Sequence, residues 1–439
     1  MKKIFTVSII GCGSRGRFTY GRCMVENAQD CFKIVSLCDN DAEKLKLAQT
    51  DLGVEDQNAF LDEKEFFKEK RSDALIIATQ DRDHVRMCIR ALELGYDILL
   101  EKPISPLEEE LHALLEANKK YKRKIVVCHV LRYAPAFLKM KEILDSGAIG
   151  KVVCIDWLEQ VAYWHQAHSF VRGNWRNDET TSPMIMAKCC HDLDLLQYYA
   201  GSKCKTVYSV GDVAFFNKEN QPEGAADHCA ECKYIHDCAY SADRLYVEKW
   251  KKDFDWVKDK PDVDDDARKQ GWPFNVVDLS RPITIESMRK AYANSGYGRC
   301  VFACDNNVVD NQTVLMQFEN GIKANLTMTG FTALPGRKVT FHGTLGEVEM
   351  DEENDYIRLS RYGHGTQFFS IKEILKVALN DTFGHGGGDL MMIKDFYKAL
   401  ASDAEMGTTL EGSVESHLMA LAAEKSRLTG QVCYVHDKQ

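Results

Sequence analysis

Short apolar runs alternate with amphipathic stretches from residue 4 to about residue 125. The runs at 4–10, 33–38, 74–78, 97–100 and 124–129 are nearly continuous, as strands buried on both faces are. Between them, 41–52, 84–95 and 106–121 read as helices, with Gly95 just past a helix end, where a left-handed residue is wanted. This alternation predicts an α/β domain over residues 1–125, a doubly wound parallel sheet covered on both faces. Further on the pattern changes. Segments 314–318 and 322–328 flank Glu319-Asn320-Gly321, a hairpin signal, and 338–342 with 346–350 gives a second pair. Ser182 as N-cap and Pro183 at the first helical position predict a helix to Tyr199, with Gly201 beyond it. Residues 215–297 are charge-rich and poorly periodic, as in 248–269, and read as an insertion in a second domain over 126–439.

At 439 residues the chain is too long for one ordinary core, which agrees with two domains. The net charge is −10, with acidic and basic residues interspersed. Nucleic acid and anionic membranes need a concentrated basic surface, so a small-molecule partner is expected instead. Met1-Lys2-Lys3 before an apolar run superficially resembles a signal peptide. The run is short and leads directly into a glycine-rich turn, so a first buried strand explains it better. No later segment reaches the roughly 18 apolar residues of a membrane span. Most of the sixteen cysteines sit singly in apolar stretches (Cys31, Cys38, Cys88, Cys128, Cys154), as buried thiols of a reduced, cytoplasmic protein do.

Gly11-Cys12-Gly13-Ser14-Arg15-Gly16 follows the first strand and opens a helix, and Asp39 ends the second strand. In that setting Gly11 makes the tight turn, Gly13 lets a pyrophosphate approach the backbone and Gly16 permits close helix–strand packing. The helix N-terminus adds amides and a positive dipole. Asp39 can accept from both ribose hydroxyls and would repel a 2′-phosphate. Asn40 and Asp41 follow it rather than arginine, which favours NAD over NADP.

The run Ala78-Thr79-Gln80-Asp81, Asp83-His84, Ala91 to Gly95 and Leu100-Glu101-Lys102-Pro103 resembles the signature of the glucose–fructose oxidoreductase/inositol dehydrogenase (Gfo/Idh/MocA) family. The resemblance continues through Leu131-Arg132-Tyr133-Ala134-Pro135, Ser146 to Lys151, Gly173-Asn174-Trp175-Arg176 and Cys190-His191-Asp192-Leu193-Asp194-Leu195. It closes with His385-Gly386-Gly387-Gly388-Asp389 and residues 415–430, leaving out only the insertion. It implies a C-terminal α+β domain with a large, mostly antiparallel sheet and helices on one face. The other face would form a subunit interface, so a homo-oligomer, dimer or tetramer, is expected. It also implies an NAD site built from Gly11, Gly13, Ser14, Arg15, Gly16, Asp39, Thr79, His84, Glu101, Lys102, Arg132, Trp175 and Arg176.

The chemistry the resemblance implies is oxidation of a ring hydroxyl of a sugar, glycoside or cyclitol. That reaction needs a hydride acceptor and a base for the hydroxyl proton. Lys102 matches the family position beside the nicotinamide, where a partly desolvated amine is prepared to accept or relay a proton. Lys188, His191 and Asp194 recur at three-residue steps and fall on one side of the predicted helix. Many family members carry an aspartate four residues before this histidine. Here that position is Ala187, so Lys188 is read as its substitute and His191 as the acid/base at the substrate carbon. The stretch Tyr163 to Arg176 offers aromatic platforms, and His165, Arg172 and Asn174, with Asp192, are the expected substrate contacts.

Cys229, Cys232 and Cys238 have a C-x2-C-x5-C spacing that supplies three soft ligands for a structural zinc. His228, His236 or Cys204 would be the fourth; unliganded cysteines or a disulfide are the alternatives. The insertion is read as a lid or edge near the substrate pocket. Two other activities stay open within the resemblance. One is a redox-neutral, NAD-dependent glycoside-cleaving enzyme, for which Lys188 and His165 would supply extra proton transfers. The other is a non-catalytic NAD-binding regulator, which the presence of Lys102 and His191 argues against.

Overall fold

Six strands, β1 (Phe5–Ile10), β2 (Phe32–Cys38), β3 (Ala59–Phe60), β4 (Ala74–Ile77), β5 (Asp97–Leu100) and β6 (Ile125–Val127), form a parallel sheet. Their order is β3-β2-β1-β4-β5-β6. This computed structural model describes residues 3–251, 271–378, 385–402 and 406–436. All four residues of β4 are fully buried, which is why such runs show no polar alternation. The helix Ala42–Leu52 starts at Asp41, whose carboxylate accepts from the amides of Glu43 and Lys44, and stops at left-handed Gly53. The two-residue edge strand β3 is too short to leave a pattern in the sequence. Strand order reverses between β1 and β4, and there the glycine-rich turn leaves the carboxyl end of β1, the usual ligand crevice of such sheets.

The second sheet has nine strands: β7 (Val152–Gln160), β8 (Cys204–Asp212), β9 (Asn311–Phe318), β10 (Lys323–Thr329), β11 (Gly336–Gly343), β12 (Gly346–Asp351), β13 (Tyr356–Arg361), β14 (Gly365–Ser370) and β15 (Cys433–Tyr434). Its order is β14-β13-β12-β11-β7-β10-β9-β8-β15, antiparallel except for the β7–β10 pair. The two expected hairpins are β9–β10, turning at Gly321, and β11–β12. Val207, Val314 and Met316 pack under the helices Cys190–Ala200 and Leu410–Thr429. On the opposite face Tyr208 stands across from Leu315, and both, with Val210, are exposed.

The single helix expected from Ser182 to Tyr199 is instead two, Met184–Ala187 and Cys190–Ala200. Pro183 stays extended, and the Ser182 hydroxyl donates to Asp81 Oδ2 at 2.8 Å instead of capping. Lys102 Nζ donates to the Ala187 carbonyl at 2.9 Å, occupying an acceptor that a continuous helix would use itself. Gly201 is left-handed at the helix end, as expected.

The insertion is not as poor in apolar residues as its sequence suggests. Phe216, Leu245, Tyr246, Phe274 and Met288 form a small core with Phe302, just past the insertion, and with Ala167 and Val171 of the aromatic stretch. Of the charge-rich run 248–269, residues from 252 onward lie outside the described residues.

A buried ionic cluster ties the glycine-rich turn, the end of β5 and the helix Gly388–Ala401 together. Glu101, at the end of β5, takes Arg15 Nε at 2.5 Å on Oε1 and the Lys102 amide at 2.9 Å on Oε2. Arg15 Nη2 reaches Asp389 Oδ1 at 2.9 Å, and His385 Nδ1 lies 2.9 Å from Asp389 Oδ2. The Tyr20 hydroxyl bonds both Arg15 and Glu101. Asp389 lies on the helix Gly388–Ala401, which packs Leu390, Met392 and Phe396 onto the core of the first sheet. Burial would raise both acids, but Arg15 together with Lys102 and Tyr20 at Glu101, and with His385 at Asp389, outweighs it and holds both below the usual carboxylate range. Asp389→Leu, which strips Arg15 of one of its two carboxylates, is expected to lower unfolding stability by about 3 kcal/mol in urea titrations. A loss within error would show that this cluster does not hold the seam.

Candidate active site

The floor of the site is the glycine-rich turn. The Gly11 amide donates to the Cys38 carbonyl at 2.9 Å with φ +90°, and a Cβ there would fall 2.4 Å from the Ala78 carbonyl oxygen. A Cβ on Gly16 would come within 1.9 Å of the Gly11 carbonyl. A Cβ on Gly13 meets nothing within 4 Å, so this residue borders open space while its neighbours are wedged. Ser14 begins the helical segment Ser14–Gly21, wound as a π-helix, which continues into Arg22–Asn27. Asp39 is half-buried beside this turn and accepts from the amides of Cys12 (2.6 Å) and Asp41 (2.8 Å). Open space at Gly13, a helix N-terminus and an acid at the end of β2 fit the pyrophosphate and ribose of a dinucleotide.

The other expected cofactor residues divide into two groups. Lys102 and Trp175 are half-buried at the seam, and the Trp175 indole donates to Asp81 Oδ1 at 3.2 Å. The His84 ring nitrogens lie 2.7 Å from the Pro103 carbonyl and 3.2 Å from that of Thr79, so His84 ties two loops together rather than facing open space. Arg15 and Glu101 are spent on each other and on Asp389. Arg132 forks onto Asp194 at 2.6 and 2.7 Å, and Arg176 onto Asp305 at 2.7 and 3.1 Å. These four charged side chains are held by protein partners, Arg15 and Glu101 by each other and Arg132 and Arg176 by Asp194 and Asp305.

Over the floor the chain gathers amines and imidazoles. Lys102 approaches from β5, Lys188 from the break between the two helices and His191 from the second helix. His165 comes from the aromatic stretch and His385 from the start of the helix Gly388–Ala401. The His191 and His385 rings are 6.1 Å apart, and His191 and His129 are 5.9 Å apart. Burial, with the charges of Lys102, His385 and others, drives His191 well below its ordinary value, so it is neutral near pH 7. Its Nδ1 is buried without a partner. His165 is lowered likewise by burial, Lys188, His168 and Lys102. An imidazole kept neutral in this way can accept a hydrogen bond from a hydroxyl.

Three expected substrate contacts are placed differently. Asp192 is fully buried and consumed by the Trp157 indole (2.8 Å) and Arg337 Nε (2.7 Å). Arg172 is 3% exposed and donates to the carbonyls of Arg299 and Tyr240, both at 2.7 Å, so it holds the insertion to the aromatic stretch. Asn174 is solvent-exposed. Only His165 remains near the amines, with Trp272 of the insertion leaning on it at 4.8 Å between ring centres.

The zinc site is also corrected. Among the described residues no group of three or more His, Cys, Asp or Glu side chains is arranged to hold a metal ion. Cys229, Cys232 and Cys238 line a small cavity with Cys300, but the buried guanidinium of Arg172 lines it as well and donates to Cys229 Sγ at 3.5 Å. A cation already occupies the position opposite that sulfur. Of the proposed fourth ligands, Cys204 Sγ points to the carbonyls of Thr206 and Gln317 in the second sheet. All sixteen cysteines are free thiols.

Two residues of the site are absent from the sequence reading. Glu159 of β7 is 1% exposed and faces Lys188 Nζ at 3.1 Å, and Arg337 of β11 bridges Glu159 (2.9 Å) and Asp192. In the sequence they read as ordinary charges in a strand. Only the β7–β11 register, which sets Arg337 directly opposite Glu159, brings them together.

Residues 5–129 match the Gfo/Idh/MocA model of an oxidoreductase family with an NAD-binding Rossmann fold, and residues 141–435 match its C-terminal α/β domain. The chain is 22% identical over 408 residues to the oxidoreductase YteT of Bacillus subtilis, covering 89% of this chain and 88% of that protein. It is 24% identical over 208 residues to an inositol 2-dehydrogenase of Corynebacterium glutamicum, covering 47% of this chain and 57% of that one. Among solved structures, a levoglucosan dehydrogenase in complex with NADH superposes with a TM-score of 0.69 at 17% identity, covering 99% of this chain and all of the other.

The buried histidines give a pH prediction. Burial pushes His168 and His417 down to about 3, and His129 and His191 are also lowered. Unfolded histidines titrate near 6.5, so the unfolded chain binds more protons below that pH. Stability from these groups is complete above about pH 6.5 and is lost as pH falls toward the folded values. Denaturant titrations at pH 7 and 5.5 should show a drop, and in His417→Gln the drop should be smaller by about 1 kcal/mol. Equal drops would mean that His417 is not held neutral.

Proposed function

The chain belongs to the Gfo/Idh/MocA family of NAD-binding oxidoreductases, and from that premise we propose that it oxidises a ring hydroxyl of a sugar, glycoside or cyclitol. The observation that carries this reading is the convergence of Lys102, Lys188 and a neutral His191 beside the glycine-rich turn. Gly11, Gly13, Ser14 and Gly16 would hold the pyrophosphate, Asp39 the adenosine ribose, and Lys102 with Trp175 the nicotinamide end. Bound NAD supplies the acceptor for the hydrogen and electron pair that leave the ring carbon. The chain's own part is to orient the alcohol and take its proton. His191, neutral and with a buried unpartnered nitrogen, is suited to bond the hydroxyl, and Lys102 and Lys188 to carry the proton onward. His165 and Trp272 offer a face on which an apolar side of a ring can lie. The exposed Tyr208, Val210 and Leu315 support a homo-oligomer, dimer or tetramer, built on the open face of the nine-stranded sheet.

The test is a paired assay with NAD, following NADH and released aglycone together. Its panel is myo-inositol, levoglucosan, free hexoses and chromogenic glycosides. NADH without aglycone is the expected result, and Lys102→Ala should lower turnover by about a hundred-fold or more. Aglycone without net NADH would replace this reading with redox-neutral glycoside cleavage. NAD binding with silence in both channels would remove the proposed substrate class.

A further inference from the structure

The charges around Lys188 pair unequally. Arg337 lies on β11, and its Nε and Nη2 fork onto Asp192 of the helix Cys190–Ala200 at 2.7 and 3.3 Å. Glu352, just past β12, stands 3.9 Å from Arg337 Nη1. The remaining carboxylate, Glu159 on β7, shares Arg337 through Oε2 and has Lys188 Nζ at 3.1 Å on Oε1. Exposure separates the two partners: the Glu159 side chain is 1% exposed and that of Lys188 is 18%. So the ammonium reaches the site while its carboxylate stays in the wall. Helix geometry adds a constraint. Lys188 stands at the break after Ala187, whose carbonyl is held by Lys102 Nζ, so both lysines are brought to one short segment.

We propose that Glu159 is the positioning residue of the reaction, holding Lys188 toward the substrate and taking the proton that Lys188 relays. This rests on the dehydrogenase reading above. When the ring carbon is oxidised and bound NAD reduced, the substrate O–H bond breaks and a new N–H bond forms on Lys188 Nζ. That nitrogen has a free lone pair because one N–H of its ammonium breaks first, with an O–H forming on Glu159 Oε1. Lys188 is an ammonium before and after the transfer and a neutral amine in between, and one proton is left on a carboxylate shielded from water. The groups facing Glu159 suit this storage. Burial and the nearby Asp192 raise its carboxyl, Arg337 and Lys188 lower it, and the balance leaves it at about 7. A carboxyl raised in this way can take and release a proton nearer neutral pH than an exposed one. A strand glutamate thereby does what a carboxylate on the helix would do had Ala187 been acidic.

Two readouts on the full chain test this. Infrared titration without substrate follows the carboxyl stretch from pH 5.5 to 9. One carboxyl should titrate near pH 7 in the natural protein and be absent in Glu159→Gln. Its midpoint should move upward in Lys188→Met, which removes a charge that lowers it. With the polyol that yields NADH, kcat/KM should rise with pH to the same midpoint. Glu159→Gln should lower kcat about a hundred-fold with little change in KM and abolish that limb, and Glu159→Asp should restore part of both. An unchanged limb in Glu159→Gln, or a carboxyl that titrates near pH 4, overturns the proposal. If the titration stands but no polyol yields NADH, the dehydrogenase reading fails and the catalytic role fails with it, while the coupling of Glu159 to Lys188 remains as measured.

Discussion

One guanidinium ties the glycine-rich turn to the end of β5 and to the helix Gly388–Ala401. Arg15 leaves the glycine-rich turn and ends between Glu101, at the tip of β5, and Asp389, from a helix more than 350 residues away in sequence. The Asp389 and Glu101 side chains are 1% and 6% exposed. Carboxylates so far from water are costly unless paired, and removing one partner leaves an uncompensated charge. The turn, the strand end and the helix are therefore fixed relative to one another. The Glu101 carboxylate also takes the amide of Lys102, so the position of the lysine follows from the same cluster.

A second constraint lies above the first. A helix running unbroken from residue 184 to 200 would use the Ala187 carbonyl for itself. Here Lys102 takes that carbonyl and the helix breaks at Lys188 and Cys189. The break turns Lys188 toward Glu159, while His191 keeps its place in the second helix. Asp192, one residue further on, points into the wall and anchors Arg337. Neighbouring residues of one helix thus divide between site and support according to the side on which they emerge.

Much of the fold was legible because the parallel strands are buried on both faces and the hairpins carry Gly321-type turn signals. The glycine spacing and Asp39 were legible because backbone proximity restricts side chains: a Cβ on Gly16 would overlap the Gly11 carbonyl. Lys102 and His191 came from resemblance, and the structure brings them to one seam. Hidden from the sequence were contacts set by strand register and by distant segments. Glu159 meets Arg337 across β7 and β11, and Asp389 meets Arg15 across 374 residues of sequence. Arg172 and Asp192 have the residue types of sugar-binding groups, but residue type does not reveal burial. The cysteine spacing suggested a metal because the sequence does not show that Arg172 occupies the same cavity wall.

The central claim is that the cofactor's reactive end lies in the seam, between Lys102 and His191, with its ribose on Asp39. A crystal structure of the protein with NADH tests this most directly. The account predicts the pyrophosphate over Gly13, Asp39 on the adenosine ribose hydroxyls and the nicotinamide beside Lys102, with the Arg15–Glu101–Asp389 cluster intact. NADH bound with its nicotinamide outside the seam, or an Arg15 that leaves Glu101 to hold the phosphates, would contradict it.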